Sequence, residues 1–307
     1  VKRTDLSALA DGGLLLTARA LQAGWSPATL SRQLRREGWL RIRRGVWAEP
    51  GRPVDLTPRL RATQLLNPRL VVSHGSAAHL WQIETLNART ADQQPLDFTD
   101  PDLTFRQSLA DAHVHRIPLS QDEVVTRHGL RVTDVPRTLA DLLRSGPRDD
   151  ALVAVESALG FRRAGGQRRP PLVTLASLSL ALEAPLRGGR RGRTWFGLVD
   201  RTSGSPAETI ARLRMLDAGL RPETQAEVRG PDGRRYYLDF LFRAEGLAVE
   251  VEGYAYHGTR DAHRRDIARY NQIARCPEVR RLLRFTAEDV FHRGAWVIEE
   301  IRGALAA

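Results

Sequence analysis

Over residues 1–50, short apolar clusters alternate with dense helix punctuation. Thr4 opens a segment carrying Leu6 and Leu9 that stops at Gly12-Gly13, and Leu14-Leu15-Leu16 then predicts a short strand. Thr17 is expected to cap a second short helix that ends at Gly24. Ser26 followed by Pro27 is an N-cap and first-turn pair, and the helix it opens runs to Glu37 and closes at Gly38. On that helix Leu30 and Leu34 are four apart and share a buried face, while Thr29, Arg32, Gln33 and Arg36 fall together on the opposite one. Beyond Gly38, Leu40 and Ile42 alternate with Arg41 and Arg43, Gly45 turns the chain, and Val46-Trp47 returns as a second strand. Three helices and a basic hairpin have the rhythm of a winged helix-turn-helix. In that arrangement the polar helix face, with Arg41, Arg43 and Arg44 of the hairpin, meets DNA. A small helical domain with a solvated basic face has the same local pattern.

Residues 51–202 read as a middle α+β domain of unknown role. Strands are predicted at 70–73, 96–99, 113–117, 124–127 and 130–132, the last two joined by His128-Gly129 as a tight hairpin. Helices are predicted around 58–66, 76–81, 136–143, 149–159 and 174–182. His113 and His115 fall on one face of a strand, which permits metal binding; without a further His or Cys cluster nearby, surface or hydrogen-bonded strand histidines are expected. Two tracts rich in Arg, Gly and Pro, 161–171 and 187–193, are expected to be loops or linkers, with phosphate contact as the second reading.

Residues 203–307 hold the pattern that carries chemistry. Ser205-Pro206 caps an amphipathic helix through Ile210, Leu213 and Leu216 to Gly219, with Glu208 in its first turn. Strands follow at 224–228 and 235–242, around a turn at Pro231-Asp232-Gly233, and then at 247–252. Strand alternation sets Glu250 and Glu252 on one face and Val249 and Val251 on the other, and Asp239 joins the acids if its strand is in register. Converging carboxylates repel one another in the absence of a cation, and their hard oxygens suit Mg2+ or Mn2+, which can activate water toward a phosphodiester. Alternating charges on a solvent-facing strand give the same letters.

Composition sharpens the choice of partner. The 307 residues carry a formal charge of +11, and of the 47 basic side chains only Lys2 is a lysine. An arginine surplus of this kind favours nucleic acid, although GC-rich coding produces it too. Residues 1–50 hold nine basic and four acidic side chains, against 17 and 16 in residues 203–307, so the charge that would hold DNA lies mainly before residue 203. Cys276 is the single cysteine, which excludes intrachain disulfides and multi-thiolate zinc sites from this sequence. Residues 1–10 lack the apolar core of a secretory signal and no apolar run reaches membrane-spanning length, so a cytoplasmic protein without a membrane partner is expected.

Leu238-Asp239-Phe240, Val249-Glu250-Val251-Glu252-Gly253-Tyr254, His257, Arg265-Asp266, Arg269 and Leu282-Leu283-Arg284-Phe285 closely resemble a bacterial family of restriction-endonuclease-like domains related to very-short-patch repair endonucleases. The resemblance covers residues 203–307 and implies the PD-(D/E)XK nuclease fold, a mixed sheet flanked by helices. It also implies a metal site at Asp239 and Glu250, with Glu252 beside it and Glu208 as an accessory ligand. Two departures stand out. The family's lysine position holds Glu252, and Lys2 lies outside the region; related domains also show aspartate where this chain has Glu252. That leaves His257 as the candidate general base, or as a surface histidine.

Residues 1–202 resemble, more loosely, AbiEi-family antitoxins of type IV toxin-antitoxin systems. The stretches that carry this are 38–46, Val72-Ser73-His74-Gly75-Ser76-Ala77-Ala78 and 132–139. Those antitoxins bind promoter DNA and repress their own operon. The expectation is therefore a multidomain α+β protein: a winged helix at 1–50, the middle domain at 51–202, and a restriction-endonuclease-like mixed α/β sheet at 203–307. Its expected function is DNA binding with Mg2+- or Mn2+-dependent endonuclease chemistry through Asp239, Glu250, Glu252 and His257. The alternative is an antitoxin-like repressor with a toxin partner and a non-catalytic nuclease-fold domain.

Overall fold

Ser26 accepts a hydrogen bond from the Thr29 amide at 3.4 Å, Pro27 supplies the fixed φ of the first turn, and Gly38 closes the helix in the left-handed region at φ 78°. These local signals set the best-defined helix of the N-terminal region, in a computed structural model that describes residues 4–86, 95–105, 109–164, 167–252 and 260–307, with backbone alone at 164, 260–263 and 265–266. The protein is a mixed α+β structure with several sheets, and its internal contacts divide it into two compact units. One comprises Val1–Gln82 and Asn87–Asp141, the other Ile83–Leu86 and Leu142–Ala307.

The first unit begins with α1 (Leu6–Leu9), β1 (Leu14–Leu16), α2 (Thr17–Gln22), α3 (Pro27–Glu37), β2 (Leu40–Arg43) and β3 (Val46–Ala48). The strands form an antiparallel sheet in the order β1-β3-β2, and Leu6, Leu15, Ala20, Trp25, Leu30, Leu34 and Trp39 pack a small core beside it. The expected alternation along β2 is broken. The register slips between Arg41 and Arg43, so that Ile42 is an extra residue of a bulge. Ile42 packs against a cluster containing Leu14 and Val46, and Leu40 is left exposed.

A second sheet in this unit has the order β6-β5-β4-β8-β7. It follows α4 (Leu56–Leu66) and uses β4 (Val71–Val72), β5 (Leu96–Asp100), β6 (Ala112–Arg116), β7 (Val124–Arg127) and β8 (Leu130–Thr133), with α5 (His74–Leu80) after β4. Its core is built on Leu60, Leu70, Val72, Leu96, Phe98 and Val132. His128 and Gly129 both take positive φ, 51° and 72°, the conformation a two-residue hairpin needs to match strand twist. α6 (Val135–Ser145) then crosses from the first unit into the second.

The second unit continues with α7 (Arg148–Leu159), β9 (Arg162–Ala164), β10 (Gln167–Arg169), α8 (Leu175–Glu183) and α9 (Gly189–Phe196). Here the structure corrects the expectation of two loops, because the arginine-rich tracts hold a strand pair and a helix. Glycine makes α9 possible: a Cβ on Gly188 would stand 2.3 Å from the Arg144 carbonyl, and one on Gly192 would press on Leu182 and Leu143. A third sheet, β11-β12-β13-β14, follows α10 (Pro206–Asp217). It comprises β11 (Glu223–Arg229), β12 (Arg235–Phe242), β13 (Leu247–Glu252) and β14 (Arg281–Thr286), antiparallel except for the parallel β13–β14 pair. α11 (Arg260–Ile273) connects that parallel pair, and α12 (Ala287–His292) and α13 (Gly294–Ala306) end the chain. Among the described residues no helix is long and apolar enough to cross a membrane.

Candidate functional site

The N-terminus of α10 fixes the first carboxylate. Ser205 Oγ accepts from the Glu208 amide at 3.2 Å, and the Glu208 side chain folds back to accept from the Gly204 amide, just before the N-cap, at 2.7 Å, so one orphan helix donor and the amide leading into the cap are satisfied. Glu208 Oε2 also accepts from Gln225 Nε2 at 3.2 Å, and the same amide nitrogen donates to Asp239 Oδ1 at 3.1 Å. Gln225 can bridge the two because its backbone is left-handed at φ 46°, which interrupts the β11–β12 ladder between Thr224↔Phe240 and Ala226↔Leu238.

Asp239 sits where β12 and β13 part. Their paired register runs from Phe242↔Leu247 to Phe240↔Val249, and the next step along it sets Asp239 opposite Glu250. At that step the strands exchange side-chain bonds instead: the Val251 amide donates to Asp239 Oδ2 at 2.9 Å, and the Asp239 amide to Glu250 Oε1 at 3.3 Å. Arg269 of α11 spans the gap, donating to Glu250 Oε2 and to the Tyr237 carbonyl, both at 2.8 Å. Glu250 is only 3% exposed, so the solvent-facing reading of the alternating acids does not hold for it.

Burial raises all three carboxyl groups. Glu208 is pushed up to about 7 by burial and by the charge of Asp239. Burial also lifts Asp239, against the opposing bonds from Val251 and Gln225, and Glu250 is lifted by burial and by Asp239 against the pull of Arg269. Glu252 forms an ion pair with Arg284, whose guanidinium lies 3.7 Å over the Tyr270 ring. Glu208, Asp239 and Glu250 are thus linked in one hydrogen-bonded group, and Glu252 is turned to a cation of its own. Among the described residues, no three His, Cys, Asp or Glu side chains form a group arranged to hold a metal ion. His257 lies outside the described residues.

The seven residues expected to face DNA divide in two. Arg32, Arg36, Arg41 and Arg44 are exposed and form no ion pair among the described residues. Thr29 bonds back to Ser26, and Gln33 donates to Glu37 within the helix. Arg43 is drawn inward by the β2 bulge and meets Asp111 at 2.5 Å with its side chain 12% exposed, so its guanidinium is occupied.

His113 and His115 both approach Asp97 Oδ1, at 3.8 and 3.2 Å. The third member of that group is His74, which is buried, stacked on His115 with ring centroids 3.7 Å apart, and bonded through Nδ1 to Ser73 Oγ at 2.9 Å. Burial, helped by the His115 charge, lowers His74 to about 3. Sequence reasoning missed Gln225, His74 and Asp97. Gln225 and Asp97 act through partners distant in sequence, and His74, although bonded to its neighbour Ser73, joins the group through its stack on His115.

No family model matches the chain, and no curated protein matches it. Among solved structures, one similar chain is the RV2827C protein from Mycobacterium tuberculosis, 19% identical over 74% of this chain and 87% of that one, with a TM-score of 0.43.

Proposed function

We propose that this is a DNA-binding protein whose C-terminal part, residues 203–307, is a restriction-endonuclease-like domain that hydrolyses DNA phosphodiesters with Mg2+ or Mn2+. The observation that carries the reading is the opposition of Asp239 and Glu250 where β12 and β13 part, with Glu208 joined through Gln225. Three carboxyl groups, Glu250 buried and Glu208 and Asp239 half-buried, whose ionisation is opposed by loss of solvent, form an environment that favours a divalent cation. Their oxygens match the hardness of Mg2+ and Mn2+, so the donor chemistry fits. Asp239 and Glu250 would hold the ion, Glu208 would assist, and Glu252 would need to leave Arg284 to take part. The ion's contribution is to lower the pKa of a water and to draw negative charge from the phosphate. Of the chain's own groups, Arg269 neutralises Glu250 and braces the parted strands, and Gln225 holds Glu208 against Asp239.

DNA binding is assigned to a winged helix in residues 1–50, through Arg32, Arg36, Arg41 and Arg44. Their exposure supports this, as does the excess of basic side chains in that segment. A second reading is supported by Arg269 on Glu250 and Arg284 on Glu252, two arginines satisfying acids that a nuclease would give to a metal. On that reading the protein is an antitoxin-like repressor with a toxin partner, and residues 203–307 are a scaffold.

Cleavage separates the two. With Mg2+ or Mn2+ the full chain should nick or cut DNA, and Asp239→Ala or Glu250→Ala should abolish cutting while binding stays nearly intact. His257→Ala should slow cutting by roughly 10²- to 10⁴-fold if it is the general base. Absence of cleavage on duplex, single-stranded and mismatched DNA with either ion, together with no heat of Mn2+ binding that depends on Asp239, would remove the nuclease and leave the repressor reading.

A further inference from the structure

Beside the carboxylates, the second unit contains an open cavity of about 580 Å3 lined by Glu84, Phe161, Arg162, Arg163, Arg168 and Gly204. Its arginines have two different tasks. Arg162 is buried and fully engaged: Nε meets Glu84 at 2.8 Å, and Nη2 donates to the Ser203 carbonyl at 2.8 Å and to the Glu156 carbonyl at 3.3 Å. It therefore ties the base of the β9–β10 hairpin to the segment that enters α10. Arg163 and Arg168, opposite each other in the hairpin register, are exposed and form no ion pair among the described residues. The Arg168 guanidinium is held 4.2 Å over the ring of Phe161, which is itself 55% exposed.

The cavity adjoins the candidate site through one residue. Gly204 lines it and also donates its amide to Glu208 Oε2 at 2.7 Å. We propose that this cavity is the path of a DNA strand to the carboxylates, with Arg163 and Arg168 binding consecutive phosphates and Phe161 holding Arg168 in position. The assignment rests on the nuclease reading for its destination, and on charge complementarity for its occupant. Two exposed guanidinium groups without carboxylate partners among the described residues suit phosphate oxygens, since arginine presents a fork of donors that matches them. Gly204 must stay small for the same path: a Cβ there would stand 3.0 Å from the Glu208 carboxylate.

The test is made in the full chain carrying Arg32→Ala, Arg36→Ala and Arg41→Ala, so that contacts of the first unit do not mask the cavity. The probe is a fluorescent single strand of about ten nucleotides, within the range of single-strand site sizes, titrated in EDTA at several salt concentrations. Adding Arg163→Ala with Arg168→Ala should lower the slope of log affinity against log salt by about 1.4, the loss of two phosphate contacts on a single strand. Arg163→Lys with Arg168→Lys keeps both charges and should retain most of the slope. An unchanged slope in the alanine pair overturns the path, and so does an equal loss in the lysine pair, which would mark a merely structural role. The path is judged on binding and the nuclease on cleavage: a lost slope without any cleavage leaves the strand path standing and removes the nuclease, and cleavage with an unchanged slope does the reverse.

Discussion

The position of Glu208 depends on an ion pair buried beneath α10, and removing one charge of that pair should be costly. Glu156 of α7 is fully buried, and Arg212 of α10 meets its Oε1 at 2.5 Å with a side chain 6% exposed. The Asp200 amide donates to Glu156 Oε1 at 2.8 Å and Thr209 Oγ1 to Oε2 at 2.7 Å, and the Ser203 side chain also bonds the carboxylate. Glu156→Gln keeps the shape but leaves the Arg212 charge facing only Asp200, at 4.0 Å. Breaking a buried pair costs about 3–5 kcal/mol, and the remaining contact to Asp200 points to the lower end, about 3 kcal/mol. Urea unfolding followed by circular dichroism should show the midpoint of the second unit falling by about 1 M, for an m-value near 3 kcal/mol/M. Combining Glu156→Gln with Arg212→Met removes both charges, and the cost should fall back to about 1–2 kcal/mol, a strong favourable coupling in the double-mutant cycle. A cost below about 1 kcal/mol for Glu156→Gln, or simple additivity of the two changes, would refute the reasoning, because it would mean that Arg212 finds water where the structure buries it.

Two titrations of opposite sign should be visible. A Glu208 carboxyl at about 7 in the folded chain lies above its unfolded value, so in EDTA its contribution is fully present below about pH 4.5 and is lost as pH rises through 7, a change of about 3 kcal/mol at most. Glu208→Gln should remove this slope from the unfolding free energy of the second unit, and a slope that persists in the variant would assign it elsewhere. His74, lowered to about 3, behaves in the other direction: the unfolded chain takes up its proton first, so stability falls as pH drops from about 6.5 toward 3, by about 3 kcal/mol at pH 4. His74→Asn, which tolerates the left-handed φ of 47° at that position, should flatten the acid limb; an unaltered limb would show that His74 is not the group titrating.

What could be read from the sequence was local. The Ser26-Pro27 cap with its Gly38 stop, the His128-Gly129 hairpin and the Ser205-Pro206 entry to α10 are each fixed by residues within a few positions of one another, and all occur where expected. Strand alternation put Glu250 and Glu252 on one face but left Asp239 conditional on register, since a slip of two residues preserves the alternation; the observed pairing of β12 with β13 is what sets Asp239 opposite Glu250. The unread features are non-local. Ile42 becomes a bulge residue through packing against Leu14 and Val46, which redirects Arg43 to Asp111 across 68 positions of chain. The β9–β10 hairpin lies in a tract whose arginines and glycines read as loop, yet Arg162 and Arg169 are buried there by carbonyl groups that composition does not reveal.

On the nuclease reading proposed above, Glu252 stands where a lysine would be expected, and it is paired with Arg284. Glu252 adds a fourth carboxylate to Glu208, Asp239 and Glu250; among the described residues Arg269 and Arg284 bond to Glu250 and Glu252, while Arg162 acts on Glu208 without an ion pair. Two carboxylates are therefore left without a direct ion pair among the described residues. They are Glu208 and Asp239, which share the single amide of Gln225. An amide donor cannot neutralise a charge, so burial and then the charge of Asp239 push Glu208 up to about 7. A divalent ion carries the charge that these two acids lack and would replace the proton. Glu252→Lys makes the same correction by covalent means: it deletes one carboxylate, adds one ammonium, and frees Arg284 from its ion pair. If the charge deficit governs the site, that substitution should lower the Glu208 pKa even in EDTA. If it also revives or increases cleavage, the missing lysine was the defect and not the placement of Asp239 and Glu250.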